Sequence, residues 1–391
     1  ESRMVASRKS PMKSPRSVSR TRVVHLLGSP SSPYYEALSL TYARSCAEAF
    51  DELTTAEFDM QYVVVHFAEE GGPLWSFPAD LSEASVAHAP RHSSRAGVQA
   101  LCALEADVFV PHMFCYPGLT AYRGLFGVLG AAFLGSSAEA QALVSNKGHA
   151  RLVMASAGVP VAEGEVLIKN LKETTSISAP CIVKPCSEAN SIGITLVKTD
   201  DLLQAAIDTA FALDDEIVVE RFIPPGREMR VGVLEEEDGS LRVLPMFEYF
   251  MSSKRPIRTP EDKLATDDKG LPTGLAWAKG SRKCPADVEE ALAARLGEAA
   301  KRAHVALGCR DYSIFDVRID PEDNFFFLES SLFCSFAPGS VIVTMSKATA
   351  EIEHQALLRT MLRRAAERSP RHAKLSAKVH TMKPKRAKVV A

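Results

Sequence analysis

Tyr312–Ser331 reads YSIFDVRIDPEDNFFFLESS. Two apolar runs flank the turn residues Pro321–Asn324, which predicts a β-hairpin. Asp316 interrupts the first run and Glu329 ends the second. Each sits among apolar neighbours, so each is expected to be buried on at least one side. A hairpin can set them opposite each other. Two adjacent carboxylates repel unless a cation or a proton lies between them. Mg²⁺ takes few carboxylates together with phosphate oxygens, which suits such a pair. The plainer reading is a carboxylate salt-bridged to Arg318 or Arg310.

Upstream, Glu216–Arg230 reads EIVVERFIPPGREMR. An apolar strand ends in Glu220 and continues into Arg221, Phe222 and Ile223. An adenine ring needs one backbone donor, one backbone acceptor and flat apolar walls. A strand leaving a sheet edge can supply them. Glu228, after Gly226, could accept from ribose hydroxyls. Two lysines fall in suggestive places. Lys147 stands in the first turn of a predicted helix, and Lys184 ends a buried β run, where an ammonium must find an anion or reach solvent. The loop after Lys184, from Pro185 to Gly193, is small and polar, and could bring backbone N–H groups to phosphate oxygens. As isolated features, these are surface charges and a hairpin loop. The sequence has no G-x-x-x-x-G-K-[ST] and no G-x-G-x-x-G.

Around these stretches the chain alternates strand and helix. Val23–Leu27, Gln61–Phe67 and Asp107–Pro111 read as strands, with helices over Tyr35–Phe50 and Val98–Glu105 between them. This predicts a parallel α/β domain. Ser145–Gly158 reads as one helix closed by Gly158 and followed by Pro160. Cys181–Lys184, Gly193–Val197, Glu216–Glu220, Met229–Leu234 and Arg242–Met246 add β content. Asp200–Ala212, Asp287–Ala306 and Thr349–Arg364 read as helices. The predicted division is a basic tail over 1–22, an N-terminal α/β domain over 23–140, α+β subdomains over 141–225 and 226–366, and a second basic tail over 367–391.

Of the 391 residues, 46% are hydrophobic and 24% charged, as in an ordinary folded chain of two or three domains. No apolar run approaches the ~20 residues of a membrane helix. The eight cysteines form no C-x-x-C pair, so they are expected to be reduced thiols. Residues 1–22 hold seven Lys and Arg against Glu1, a charge of +6, and residues 368–391 hold eight and no acid, a charge of +8. With −2 overall, the body carries −16. An acidic body does not suit nucleic-acid binding as the main task. The sequence opens on Glu1 rather than Met, so it is expected to start inside a longer precursor. Its Ser/Arg-rich opening resembles the end of an organelle transit peptide, which would place the protein in a plastid; an ordinary basic tail would leave it cytoplasmic.

In order and spacing, Gly124–Leu134, Ser145–Pro160, Ile182–Gly193, Ile217–Arg230, Gly308–Asp320 and Phe325–Glu329 resemble the ATP-grasp superfamily, and within it the D-alanine–D-alanine ligase-like group. The resemblance covers roughly Val23–Arg364 and is weakest in the N-terminal third. It implies an ATP-grasp fold, in which two α+β subdomains clamp ATP behind an N-terminal α/β domain. By the same resemblance, Lys147 and Lys184 would hold the phosphates, with Ser191 and its loop closing over them. Glu220, Arg221, Phe222 and Ile223 would bind adenine, with Phe222 and Leu328 as apolar walls, and Glu228 would take the ribose. Asp316 and Glu329 would hold Mg²⁺, with Mn²⁺ able to replace it. The implied partners are a small-molecule carboxylate and an amine, with no nucleic acid or membrane, in a homodimer as in many members of the group.

The sequence departs from that pattern in its substrate half. The family's third metal ligand, an Asn, is Ser331 here. The Arg two positions before the metal Asp, which steadies the transferring phosphoryl group, is Ile314. The Ser that positions the first substrate is Asn190. The nearest counterpart of the family's E-A-K-Y loop is Trp277-Ala278-Lys279-Gly280, from which Lys279 could reach the γ-phosphate; Arg318, Arg282 or Lys279 could replace the missing Arg. The N-terminal Glu that grips a substrate ammonium corresponds to Glu36. Ser335 and Ser340 are candidates for a substrate carboxylate. The loop Leu332–Phe336 is more aromatic than the family's. These departures argue against D-alanine and for a bulkier substrate, with a looser resemblance to ligases that attach an amino acid to mycosporine-glycine. Two other readings compete: a catalytically degenerate ATP-binding regulator, and a ligase that modifies a protein or peptide end.

Overall fold

In a computed structural model, the residues described are 20–370, apart from 55–56, 189–190, 225, 252–256, 258–263, 267, 269–270, 276–280 and 350. β1 (Thr21–Gly28) leads into α1 (Pro33–Thr54) and β2 (Phe58–His66). β3 (Leu74–Ser76), α2 (Glu83–His88), β4 (His92–Ser93), α3 (Ser94–Ala103) and β5 (Val108–Pro111) follow, then α4 (Tyr116–Leu119) and α5 (Ala121–Val128). The sheet order is β4-β3-β2-β1-β5. β1 pairs in parallel with β2 and β5, whereas β3 and β4 are antiparallel. The first sheet is therefore mixed, not parallel throughout as predicted. Strands of two and three residues carry no readable alternation. β1 also begins at Thr21, inside the segment assigned to the basic tail. Gly28 closes it with φ +93, and a Cβ there would lie 2.0 Å from the Val65 carbonyl oxygen. Only glycine fits that approach.

The second unit opens on α6 (Ala138–Ser145), a helix the sequence reading did not mark, and α7 (Lys147–Ser156), which lies within the helix predicted over Ser145–Gly158. Asn146 separates α6 from α7 because its side chain caps α7, accepting from the His149 amide at 2.9 Å. β6 (Gly164–Ile168), β7 (Cys181–Pro185), β8 (Thr195–Val197), α8 (Leu203–Phe211) and β9 (Glu216–Arg221) follow. The sheet order is β6-β9-β7-β8.

The third unit holds β10 (Arg227–Glu235), β11 (Leu241–Val243), β12 (Phe247–Tyr249), the pair β13 (Leu264–Thr266) and β14 (Pro272–Leu275), and β15 (Arg282–Lys283). α9 (Glu290–Ala306), β16 (Tyr312–Ile319), β17 (Phe325–Ser331), α10 (Val341–Lys347) and α11 (His354–Glu367) complete it. Its sheet runs β15-β12-β10-β16-β17, with β11 on β10. β10 and β16 alternate by the period of a strand. Met229, Val231, Val233, Phe315 and Val317 pack against Leu292, Leu296 and Ala299 of α9 in one core. Each large buried side chain contributes about 1.5–3 kcal/mol. The opposite parity, Glu228 and Arg230 with Asp316 and Arg318, is left for the other face. No helix among the described residues is long and apolar enough to cross a membrane.

Glu235 ties this unit together. His304 lies 3.3 Å from its Oε1 and Arg364 2.7 Å from its Oε2. Burial would raise its pKa, but hydrogen bonding from His304, the backbone at Asp311 and the charges of His304 and Arg364 bring the carboxyl down to about 2. A depressed carboxyl stabilises the fold above its unfolded value of ~4.3, and that stability is lost as pH falls through the folded value. Glu235→Gln is therefore expected to lower the Tm at pH 7, and the gap to wild type should shrink between pH 5 and pH 3. Thermal denaturation across that range checks it, and a constant gap would overturn it.

Candidate active site

The crevice lies between the second and third sheets. It is lined by Lys147, Lys184, Ser191, Glu220, Arg221, Phe222, Ile223, Glu228, Asp316, Arg318, Leu328 and Glu329, among others. A larger hollow beside α9, lined by Pro160, Arg295 and Phe325 among others, contains none of the candidate site residues.

The hairpin builds one wall. Asp316 stands opposite Glu329 across β16–β17. The register then shifts, with Val317 facing Phe327, so Leu328 is the extra residue of a β-bulge. A bulge re-aims side chains, and both Leu328 and Glu329 reach the crevice. The next strand sets Arg230 opposite Asp316 and Glu228 opposite Arg318. Directly opposite residues share a face. Arg230 Nε donates to Asp316 Oδ1 at 2.5 Å and Nη2 to Oδ2 at 3.3 Å. Arg318 donates to Glu228 Oε2 at 2.7 Å and to the Ile223 carbonyl at 3.4 Å, and its guanidinium carbon lies 6.0 Å from the Phe222 ring centroid.

The opposite wall carries the lysines. Lys147 Nζ donates to the Glu188 carbonyl and lies 3.8 Å from Glu329 Oε1. Lys184 Nζ donates to Glu220 Oε1, and both side chains are buried. Arg151 Nε stands 4.0 Å from the other Glu220 oxygen. Ser191 holds φ +67, a left-handed conformation uncommon for serine, at the crevice edge.

The geometry corrects several expectations. β9 lies between β6 and β7 and is not a sheet edge. The Arg221 amide donates to the Glu163 carbonyl at 2.7 Å and the Phe222 amide to the Pro180 carbonyl at 3.1 Å. Neither is left to serve as the adenine donor. Arg318, expected to replace the missing Arg, is turned toward Phe222 and Glu228, one same-face step from Asp316. The salt bridge on Asp316 comes from Arg230, not from Arg318 or Arg310; Arg310 donates to the Gly135 carbonyl. Ser331 sits opposite Ile314 at the far end of the pair. Asn190 and Lys279 lie outside the described residues.

The substrate candidates are held locally. Glu36 accepts from the Phe67 amide at 2.8 Å and lies 2.7 Å from His66 Nδ1, while His66 Nε2 is 2.8 Å from Ser76 Oγ. Ser335 Oγ accepts from the Ala337 amide at 3.3 Å, and Ser340 Oγ accepts from Cys334 Sγ at 3.5 Å. Arg230, Arg151 and His66 are the neighbours that sequence reasoning missed.

The donor set bears on metal fit. Asp316 and Glu329 offer hard oxygens side by side, and each already attracts a cation, Arg230 or Lys147. Among the described residues no group of three or more His, Cys, Asp or Glu could hold a metal. Two carboxylates without a cage suit an ion such as Mg²⁺ that shares its ligands with phosphate and water.

Residues 153–363 match the family model described as the D-ala D-ala ligase C-terminus. A D-alanine–D-alanine ligase of Gluconobacter oxydans is 32% identical over 251 residues, which cover 63% of this chain and 77% of that one. Another from Citrifermentans bemidjiense is 31% identical over 208 residues, covering 53% of this chain and 62% of that one. Among solved structures, the D-alanine–D-alanine ligase from Coxiella burnetii aligns with a TM-score of 0.67 at 18% identity, covering 93% of this chain and 98% of its own. VanG D-Ala:D-Ser ligase from Enterococcus faecalis aligns at 0.68 and 20%, covering 88% and 99%. The sequence match and the shared fold lead to one assignment: the chain belongs to the D-alanine–D-alanine ligase-like family of ATP-grasp proteins, and is an ATP-dependent carboxylate–amine ligase.

Proposed function

We propose that the chain joins a small-molecule carboxylate to an amino-acid amine, and that one of the two is bulkier and less polar than D-alanine. The observation that carries the second part is a group of half-buried aromatic rings. Tyr42 and Phe114 have ring centroids 5.4 Å apart, Phe114 and Phe333 5.8 Å, and Tyr34 and Tyr35 5.4 Å. All five are half-buried. They come from the first half of α1, the segment after β5 and the loop after β17. Rings left partly open at a meeting of three segments suit a flat apolar partner.

The roles proposed for the chain follow its chemistry. Lys147 and Lys184 bind the phosphates as cations, with Ser191 at the closing loop. The strand exit at Arg221–Ile223 takes the adenine against Phe222 and Leu328, and Glu228 orients the ribose while Arg318 fixes its carboxylate. Asp316 and Glu329 would hold Mg²⁺, or Mn²⁺ in its place, which supplies charge neutralisation to the phosphates when bound. Glu36, held by His66, takes a substrate ammonium, Asn190, Ser335 and Ser340 are assigned to substrate binding, and Lys279 to the γ-phosphate. The substrate carboxylate attacks the γ-phosphorus to give an acyl phosphate and ADP; the amine then attacks the acyl carbon and phosphate leaves. The acyl phosphate hydrolyses in water, so residues 141–225 serve as a lid.

Mass spectrometry of products from a panel of acids and amino acids, with ADP release measured in parallel, tests this. The expected product contains a ring-bearing or long apolar partner, and Phe333→Ala is expected to raise that partner's KM about tenfold, the loss of a half-buried ring contact. D-alanine turning over as well as every bulkier candidate would overturn the substrate assignment.

A further inference from the structure

Position 314 is closed to a charged side chain. Ile314 is 4% exposed and belongs to a core cluster with Leu244, Tyr312 and Met345. It faces Gly232, where even a Cβ would meet Met345 Sδ at 2.8 Å. The β10–β16 face therefore changes from charged to apolar one step beyond Asp316. Arg230 is its last cation before that change. The other guanidinium on the face, Arg318, is engaged with Glu228 and the Ile223 carbonyl.

Arg230 is held for use. Nε and Nη2 grip Asp316 in a two-point bond, and the Tyr249 ring lies 5.6 Å from its guanidinium carbon. The side chain keeps 19% of its surface exposed. Nη1 takes no partner among the described residues and is not sealed from solvent. A planar fork fixed through two of its nitrogens presents the third with little freedom left to lose.

We infer that Arg230 is a catalytic residue of this ligase: its guanidinium meets the transferring γ-phosphoryl group from the strand beside the one that carries Asp316. The inference rests on the ligase reading above. In that step a substrate carboxylate oxygen bonds to the γ-phosphorus, and the bond from phosphorus to the β–γ bridging oxygen breaks. ADP leaves with that electron pair. Arg230 stays protonated throughout and donates hydrogen bonds to the phosphoryl oxygens, whose charge it offsets.

The test is titration calorimetry with Mg²⁺ plus either ADP or the non-hydrolysable ATP analogue AMPPNP, alongside steady-state kinetics. Arg230→Met is expected to lose about tenfold or more in AMPPNP affinity while ADP binds within about twofold of wild type. Its kcat should fall about 10²–10³-fold, the range for removing one donor from a charge-stabilising site. Arg230→Lys, which keeps the charge that Asp316 needs, guards against misfolding and should show the same split in weaker form. Millimolar guanidinium should restore part of kcat to Arg230→Ala. Unchanged ratios of AMPPNP to ADP affinity in Arg230→Met and Arg230→Lys would reduce Arg230 to a structural partner of Asp316. Wild-type protein that binds neither nucleotide would bring down the ligase reading itself, and the inference with it.

Discussion

Glu329→Gln is expected to lower turnover at least about 10³-fold while leaving the Tm within about 2 °C of wild type. Each factor of ten is about 1.4 kcal/mol of barrier, so the loss corresponds to about 4 kcal/mol, within the range of a lost metal contact at a developing charge. The structure makes this variant the clean one. The Glu329 side chain is 35% exposed, and its nearest cation, Lys147, stands at 3.8 Å with a carbonyl partner of its own. Removing that charge costs the fold little. Asp316→Asn is expected to stop the reaction too, but it also leaves the Arg230 guanidinium without its counter-charge in a mostly buried setting. Breaking such a pair costs about 3–5 kcal/mol. Its loss of activity must therefore be read beside a denaturation curve.

The measurement is kcat at saturating ATP across a Mg²⁺ titration, with circular dichroism as the fold control. Glu329→Gln should require more Mg²⁺ as well as turn over less. A variant within tenfold of wild type, with an unchanged Mg²⁺ requirement, would remove Glu329 from the metal site.

The reach of the sequence depends on which physical signal each element leaves in it. The first strand of the hairpin, Tyr312–Ile319, was readable because an apolar run, interrupted by Asp316 and Arg318, leads into a turn sequence. The bulge at Leu328 was not. Phe325–Leu328 is uniformly apolar, and an extra residue in such a run changes no pattern. Arg230 did leave a trace: Glu228, Arg230 and Gly232 alternate with Met229, Val231 and Val233, which puts Arg230 on the face of Glu228. What the sequence withholds is the neighbour across the ladder. Register is set by which strands pair, and β10 meets β16 across an intervening 76 residues. The same gap explains β9. Its apolar run says buried, but only the partners β6 and β7 show that it is central and that its last amides are committed.

Lys184→Ala is expected to raise the ATP KM at least tenfold and to destabilise the protein at the same time, and the two effects should separate. Lys184 and Glu220 are a buried pair, with 7% and 9% of their side chains exposed. Truncating the lysine leaves a carboxylate whose next cation, Arg151 Nε, is 4.0 Å away. An uncompensated buried charge costs about 3–5 kcal/mol, whereas replacing both members by neutral groups is often near neutral. Lys184→Met with Glu220→Gln should therefore recover most of the Tm lost by Lys184→Ala. It should not recover the KM, because a neutral side chain presents no charge to the phosphates from the crevice wall. Thermal denaturation and ATP kinetics on the two variants read the effects independently. If the double variant regained both stability and KM, Lys184 would be a structural counter-ion for Glu220, and phosphate binding would fall to Lys147 and the loop closed by Ser191.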